Sequence, residues 1–270
     1  MRIAVLLTCH NRKSKTVCCL QHLFAQLDLK GTSLEVYLVD DGCTDGTSEK
    51  IKELFPSVHI IKGDGSLFWN RGMCLAWEES RKDGEYDAVL WLNDDTMLYS
   101  TALKSILDCY SNNEGSIIVG SMCSSKDPRT ITYGGYKNNK RVIPVEGDYP
   151  ICETFNGNCV LIPREVSDKI GYLDSYYRHS VGDYDYALRA HKAGIKNIVT
   201  PIVGECDRNP SEPIWNRGSL SERFKKLYSP LGNNPFETFH YCRKTSLIKA
   251  IIYFLYIHFR VLFTFIFPKK

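Results

Sequence analysis

The chain has 270 residues, 43% hydrophobic and 24% charged, enough to bury a full core in one large or two small domains of ordinary soluble composition. The net charge of +3 is unevenly spread: residues 214–270 carry ten Lys/Arg against two Asp/Glu, a net +8, which leaves −5 for the rest. Eleven cysteines are an odd number and none forms a C-x-x-C pair, which excludes a zinc ribbon and favours free, buried, cytosolic thiols.

Met1-Arg2-Ile3-Ala4-Val5-Leu6-Leu7-Thr8 is too short an apolar stretch for a signal peptide and reads as a first strand. Strands are predicted over 2–8, 34–40, 58–62 and 87–93, with helices between them over about 13–28, 46–55 and 71–83. Such alternation predicts an α/β fold with a mostly parallel, Rossmann-like central sheet flanked by helices. The helix over 46–55 follows Thr44-Asp45, where Asp45 suits a cap, and Pro56 lies just past its end. Two apolar runs end in acids, Val36-Tyr37-Leu38-Val39 before Asp40-Asp41-Gly42, and Ala88-Val89-Leu90-Trp91-Leu92 before Asn93-Asp94-Asp95. Runs of this kind suit strands buried on both faces, and ligands bind beyond the carboxyl ends of such strands. Carboxylates from two strands then share one crevice. They repel unless a cation or donor groups sit among them, which points to a metal and a ligand rich in hydrogen-bond donors.

A helix over 100–110 and a strand over 116–122 follow, and residues 123–160 read as hairpins broken by Pro128, Gly134-Gly135, Asn138-Asn139 and Gly147-Asp148. Helices resume at 163–170 and 183–193, and residues 204–240 read as irregular. From Leu247 to Phe267 the chain is strongly apolar, yet Lys249, His258 and Arg260 make it a poor membrane span. Lys249, Tyr253, Tyr256, Arg260 and Thr264 recur at steps of three and four and form a polar stripe on an apolar helix. This predicts an interfacial helix at the inner face of a cytoplasmic membrane; the same pattern also suits a helix packed on the domain or on a second subunit. Basic runs of the nucleic-acid-reading kind are absent, so a membrane surface rather than nucleic acid is the expected partner. Oligomeric state is not legible.

The order of the pieces carries a resemblance. Leu7-Thr8-Cys9-His10-Asn11-Arg12, Val39-Asp40-Asp41-Gly42, Trp91-Leu92-Asn93-Asp94-Asp95, Asn156-Gly157-Asn158 and Gly182-Asp183-Tyr184-Asp185-Tyr186-Ala187-Leu188-Arg189 together resemble the family 2 glycosyltransferases. These are inverting GT-A-fold enzymes that use nucleotide-sugar donors. Gly63 to Met73 is similar to the bacterial surface-polysaccharide branch, which includes rhamnosyltransferases. The resemblance covers roughly residues 2–205. It implies a GT-A domain over 1–215, with a nucleotide-sugar-binding half at 1–98 and an acceptor-side half at 99–215. Residues 216–270 are left as a basic, apolar extension.

What the resemblance implies for single residues follows. Asp41 binds the nucleobase, and a carboxylate acceptor suits the imide N–H of uracil or thymine. Thr8 and His10 line the same pocket, with Asn11 and Arg12 beside them on the donor side. Asp95 binds Mn²⁺ or Mg²⁺, which takes few protein ligands and keeps waters and diphosphate oxygens; Asp94 faces the ribose or sugar. Asn93 stands where the family has its first Asp. Asp183 is the catalytic base, and its position also suits a helix N-cap; Gly182 replaces the usual Glu. Asp185 and Arg189, at i and i+4, suit either the acceptor side or a simple pair. Gly63 to Gly72 opens a helix, offering backbone N–H groups to a ligand. There Asp64, Trp69 and Arg71 are donor-side candidates, although Leu67, Phe68 and Trp69 also suit a core. Asn156, Gly157 and Asn158, with Tyr133 and Gly134, fall at the acceptor side, where a tight turn is the alternative. His240 is a conceivable further metal ligand.

The activity implied is transfer, with inversion, from a UDP- or dTDP-sugar to a glycan or lipid-linked saccharide in surface polysaccharide synthesis, such as capsule or O-antigen. A sugar nucleotidylyltransferase would carry a Gly-rich loop after its first strand, where this chain has Thr8-Cys9-His10-Asn11-Arg12. A non-catalytic membrane-associated binding subunit is the other alternative, on the departures at Asn93 and Gly182.

Overall fold

The first strand, β1 (Arg2–Cys9), has no polar face: Ile3, Val5, Leu7 and Cys9 alternate with Ala4 and Leu6, and all are buried. Such a strand must lie inside a sheet covered on both sides by helices. That is the architecture in a computed structural model, which describes residues 1–29, 31–145, 147–208 and 213–266. After β1 come α1 (Lys13–Phe24), β2 (Ser33–Asp40), α2 (Thr47–Leu54), β3 (His59–Lys62), α3 (Phe68–Asp83) and β4 (Ala88–Leu92). Next are β5 (Met97–Leu98), α4 (Ala102–Ser111), β6 (Ile117–Cys123), β7 (Ile131–Tyr133), β8 (Gly135–Lys137), β9 (Lys140–Arg141), β10 (Ile151–Cys152) and β11 (Thr154–Phe155). Then follow β12 (Cys159–Pro163), α5 (Arg164–Ile170), α6 (Gly182–Lys192), β13 (Asn197–Glu205), α7 (Leu220–Leu227), α8 (Pro235–Arg243) and α9 (Leu247–Ile266).

The large sheet runs β10-β13-β6-β12-β4-β1-β2-β3, with β5 paired to β13 and β7 to β6. β4, β1, β2 and β3 are mutually parallel, and β12 enters antiparallel between β4 and β6. β11, β8 and β9 make a small separate sheet. The expected α/β class with a mostly parallel centre is found. One face buries Val5, Leu7, Val36 and Leu38 against Leu20 and Leu23 of α1, Ile51 of α2 and Ile106 of α4. The other buries Leu6, Tyr37 and Trp91 against Met73 and Trp77 of α3 and Tyr186 of α6.

Several boundaries differ from the sequence reading. α1 stops at Phe24 rather than 28, and Asp28 adopts a left-handed φ of 59° that a helix excludes. α3 starts at Phe68 rather than 71, because its first N–H groups have an acceptor in Asp41. The stretch 204–240 is not irregular throughout. α7 is opened by a capping box between Ser219 and Glu222, and α8 by the Asn234 side chain with Pro235 in its first turn. Residues 209–212 of that stretch, and residues 267–270 of the expected tail, lie outside the described residues. All eleven cysteines are free; seven are buried, as expected, while Cys18, Cys43, Cys74 and Cys242 are only partly so. α9 closes a third core cluster, burying Ile257 and Val261 against Trp215 and Leu227. Its other side exposes Ile248, Ile252, Leu255, Phe259 and Phe263.

Asp40 shows how the strand ends are fixed. It is buried, and its carboxylate accepts the Cys43 N–H at 2.7 Å, the Lys62 ammonium at 2.5 Å and the Ser48 hydroxyl. Burial opposes the charge, but these donors outweigh it and draw the pKa down to about 2. Because the unfolded value is higher, the group stabilises the fold above about pH 4, and that contribution is lost as pH falls toward 2. Asp40→Asn should therefore lower unfolding free energy at pH 7 by about 1–3 kcal/mol. It should also flatten the acid limb, read by urea unfolding from pH 7 to 3. An unchanged acid limb would contradict this account of Asp40.

Candidate active site

In the parallel register Cys9 lies opposite Asp40 and Leu6 opposite Trp91, so β1, β2 and β4 end at one edge of the sheet. β12 starts at the same edge, with Cys159 opposite Leu92, and the Asn93 N–H donates to the Asn158 carbonyl at 2.9 Å. A cleft of about 640 Å³ opens there. It brings together Thr8, His10, Arg12, Asp41, Trp69, Asp94, Asp95, Asn156, Gly157, Asn158 and Asp183, from the ends of β1, β2 and β4, the turn before β12 and the starts of α3 and α6.

Arg12 meets the acidic pair. Its guanidinium donates to Asp94 at 2.8 Å and also pairs with Asp95. Asp94 is buried and accepts the Thr16 hydroxyl at 3.3 Å as well. Burial pushes its pKa up to about 7, against the pull of Arg12. Asp95 is more open and faces the cleft, with the Cys206 thiol at 3.5 Å and Lys15 at 3.9 Å. The repulsion expected between these acids is thus met partly by a cation of the chain itself. Among the described residues, no group of three or more His, Cys, Asp and Glu is placed to hold an ion by protein ligands alone. One cleft-facing carboxylate does fit a hard divalent ion that keeps water and diphosphate oxygens as its other ligands.

Asp41 organises the loop before α3. One carboxylate oxygen accepts the N–H groups of Gly65 (2.8 Å) and Leu67 (3.3 Å), the other that of Phe68 (2.9 Å), and its carbonyl meets His10 Nδ1 at 2.5 Å. Phe68 is held at a left-handed φ of 58°. The next residue, Trp69, donates its indole N–H to Asn93 Oδ1 at 2.7 Å. The amide at Asn93 accepts this bond without placing a third negative charge beside Asp94 and Asp95, which is a physical reason for the departure from Asp.

Asp183 lies in the first turn of α6 and faces the cleft. It is not the cap: Val181 occupies that position, with a left-handed φ of 75° that is strained for a β-branched residue. Asp183 accepts the Gly157 N–H at 3.0 Å and the Tyr184 N–H at 2.9 Å. Enclosure by protein raises its pKa to about 6, so it is ionised at neutral pH yet basic enough to take a proton. Gly182 has no room for the family's Glu. A Cβ there would fall 1.8 Å from Asn70 Oδ1, and the Asn70 amide is held by the carbonyls of Asp174 and Tyr177, both at 2.9 Å.

Several sequence candidates do not line the cleft, Gly134 among them. Asn11 turns to the backbone N–H and hydroxyl of Thr44, and Asp64 closes a turn on Ser66. Arg71 donates to the Ser175 carbonyl at 3.0 Å. Asp185 is buried in a staple with Arg189 (2.9 Å), Lys244 (2.6 Å) and the Tyr177 hydroxyl (3.1 Å), so the pairing alternative describes it. His240 also sits elsewhere, bonded to Asp174 at 3.1 Å and stacked on Tyr176. Conversely, His179, Ser180 and Leu231 line the cleft and carry no motif that the sequence reading used. The loop of His179 and Ser180 is braced from the C-terminal extension, to which Leu231 itself belongs. The Arg178 guanidinium pairs with the buried Glu237 of α8 at 2.7 Å, and the Arg178 carbonyl accepts the Asn70 N–H at 3.0 Å. Only the three-dimensional path brings residue 237 to residue 178, so no local signal could reveal it.

A cleft at the carboxyl edge of a parallel sheet, with two acids on one strand end and a raised-pKa acid at a helix start, is where α/β folds take their ligands. The chain matches the profile described as Glycosyl transferase family 2 over residues 4–171, and it belongs to that family. Among solved structures it is similar to S. aureus TarS, at TM-score 0.59 and 16% identity, covering 78% of this chain and 37% of that one. TarS 1-349 in complex with UDP-GlcNAc gives TM-score 0.57 and 15% identity over 84% of this chain and 64% of that one. The mannosyltransferase PcManGT from Pyrobaculum calidifontis, in complex with GDP-Man and Mn²⁺, gives TM-score 0.59 and 16% identity over 93% and 69%. The fold shared with these structures is GT-A. The chain spans little more than a third of the length of the TarS structure it matches. No curated protein matches it in sequence.

The close fit at Gly182 is testable. Gly182→Ala should destabilise the protein by about 1–3 kcal/mol, because Asn70 must leave its two carbonyls. In the Asn70→Ala background the same change should cost less, a coupling read by a double-mutant cycle in urea. Additive effects would contradict the contact.

Proposed function

We propose that this protein is an inverting glycosyltransferase that moves a sugar from a nucleotide-sugar donor to a glycan or lipid-linked hydroxyl. The observation that carries the reading is Asp183, an isolated cleft carboxylate with a pKa of about 6, facing the same space as Asp94, Asp95 and Arg12. Asp183 takes the proton of the acceptor hydroxyl as that oxygen attacks the anomeric carbon, and the nucleoside diphosphate leaves on the opposite side, so configuration inverts. Arg12 offers positive charge to the diphosphate, and Asp41 with Thr8 and His10 frames the nucleobase. Trp69 and the Asn156-Gly157-Asn158 backbone wall the sugar end, where Trp69 lies so close that a Cβ on Gly157 would fall 2.6 Å from its ring. Asp95 would hold Mn²⁺ or Mg²⁺, which would supply charge neutralisation for the leaving group. A UDP- or dTDP-sugar is the donor we favour, with rhamnose suggested by the Gly63–Met73 resemblance. Surface polysaccharide synthesis is the setting we favour.

The reading extends to the C-terminal helix. By length and composition α9 is apolar enough to cross a membrane. Yet one side of it packs on Trp215 and Leu227 while the other exposes apolar residues, beside a strongly basic extension. That asymmetry supports an interfacial position on an anionic cytoplasmic membrane surface, where a lipid-linked acceptor would be met.

Asp183→Asn should reduce turnover about 10²- to 10⁴-fold while leaving donor binding within about threefold. The wild-type kcat/KM should fall about tenfold per pH unit below about 6, as the base is protonated. Since the folded-state pKa is raised, ionised Asp183 costs stability above pH 6 and not below pH 4. The variant should therefore be more stable than wild type at pH 7, by about 1–3 kcal/mol, and no more stable at pH 4. Retained turnover in Asp183→Asn would overturn the assignment. For α9, Leu255→Glu with Phe259→Glu should abolish co-sedimentation with phosphatidylglycerol vesicles. Undiminished sedimentation would refute the interfacial position.

A further inference from the structure

His179 lines the cleft four residues before Asp183, and its ring stands edge-on to Phe68 at 6.2 Å between centroids. Its Nδ1 is buried and, among the described residues, has no hydrogen-bond partner. An N–H buried without an acceptor is the rarer and costlier arrangement, so the inward nitrogen of a neutral ring carries the lone pair. The proton then sits on Nε2, the nitrogen with which the ring can donate to a ligand in the cleft that it lines. Burial also lowers the imidazole pKa, which keeps the ring neutral at physiological pH.

The ring's place is built rather than incidental. On one side Arg178 is locked by Glu237 and by the Asn70 N–H; on the other Val181 is held at φ 75°. A loop held in a strained conformation by several contacts presents its side chains in a fixed geometry. The charged cluster of Arg12, Asp94 and Asp95 serves the phosphate end of the cleft, whereas a neutral N–H donor suits a neutral oxygen. His179 also belongs to the chain segment that delivers Asp183, the base acting at the anomeric carbon.

We propose that His179 donates its Nε2 hydrogen to a hydroxyl of the transferred sugar and so helps select the donor. This rests on the reading of the cleft as a nucleotide-sugar site. Three probe pairs test it by calorimetry on the full chain: UDP with UDP-GlcNAc, dTDP with dTDP-rhamnose, and GDP with GDP-mannose. The pair that binds wild type is then titrated into His179→Phe, which keeps a flat ring against Phe68, and His179→Gln, whose amide N–H reaches the position of Nε2. His179→Phe should weaken the nucleotide sugar about three- to tenfold and leave the matching nucleoside diphosphate unchanged, and His179→Gln should restore most of the loss. Equal weakening of both ligands, no weakening of either, or failure of Gln to restore binding would each overturn the proposal. If wild type binds none of the six probes, the nucleotide-sugar reading itself falls and takes this assignment with it. That outcome is distinct from a wild type that binds and a variant that does not discriminate.

Discussion

Carboxylates crowd one edge of this sheet because β1, β2 and β4 are parallel and in register, and the rest of the site is arranged around their mutual repulsion. Each is answered differently. Asp40 receives a lysine, a hydroxyl and a backbone N–H; Asp41 receives three backbone N–H groups; Asp94 and Asp95 share Arg12. Asp183 differs in having two backbone N–H groups and, among the described residues, no salt-bridge partner, and enclosure raises its pKa to about 6; Asp94 is raised too, to about 7, but its carboxylate is taken up by Arg12 and Thr16. The division between acids held by a cation or three N–H groups and Asp183, which among the described residues has neither, thus follows from partners.

The same arrangement links the loop before α3 to the start of α6. Asp41 pulls the start of α3 into the cleft, Trp69 bridges to Asn93, and Asn70 fills the space that Gly182 leaves open. Both departures from the family pattern are therefore compensated in space. Asn93 meets an indole, and Gly182 accommodates an amide. They do not read as the decay of a site. The C-terminal extension takes part as well, since Glu237 and Lys244 pair with Arg178 and Asp185 on either side of the loop that leads into α6.

The strands and helices of the first hundred residues were legible because buried parallel strands write continuous apolar runs, and the acids that end them mark the cleft. Asp183 is singled out by the ordered motifs alone, and the fold places it in the cleft. Arg71 and Asp64 misled because a glycine-bearing loop shows that a turn exists but not which way its side chains face. α7 and α8 were hidden by their Pro, Gly and Asn content, although Ser219 with Glu222 and Asn234 with Pro235 are cap signals. His179, Arg178 and Glu237 were illegible in principle, since Arg178 and Glu237 pair across 59 residues and His179 meets Phe68 only through the packed fold.

The central claim is that this cleft binds and activates a nucleotide sugar. Donor hydrolysis by the purified chain, across UDP-, dTDP-, GDP- and CMP-sugars with Mn²⁺, Mg²⁺ or EDTA, tests it most directly. The account predicts slow release of one nucleoside diphosphate, dependent on the divalent ion and lost in Asp183→Asn if water replaces the acceptor at the same base. No release from any donor, together with no nucleotide binding by calorimetry, would contradict it and leave a protein with the family's fold but without its chemistry.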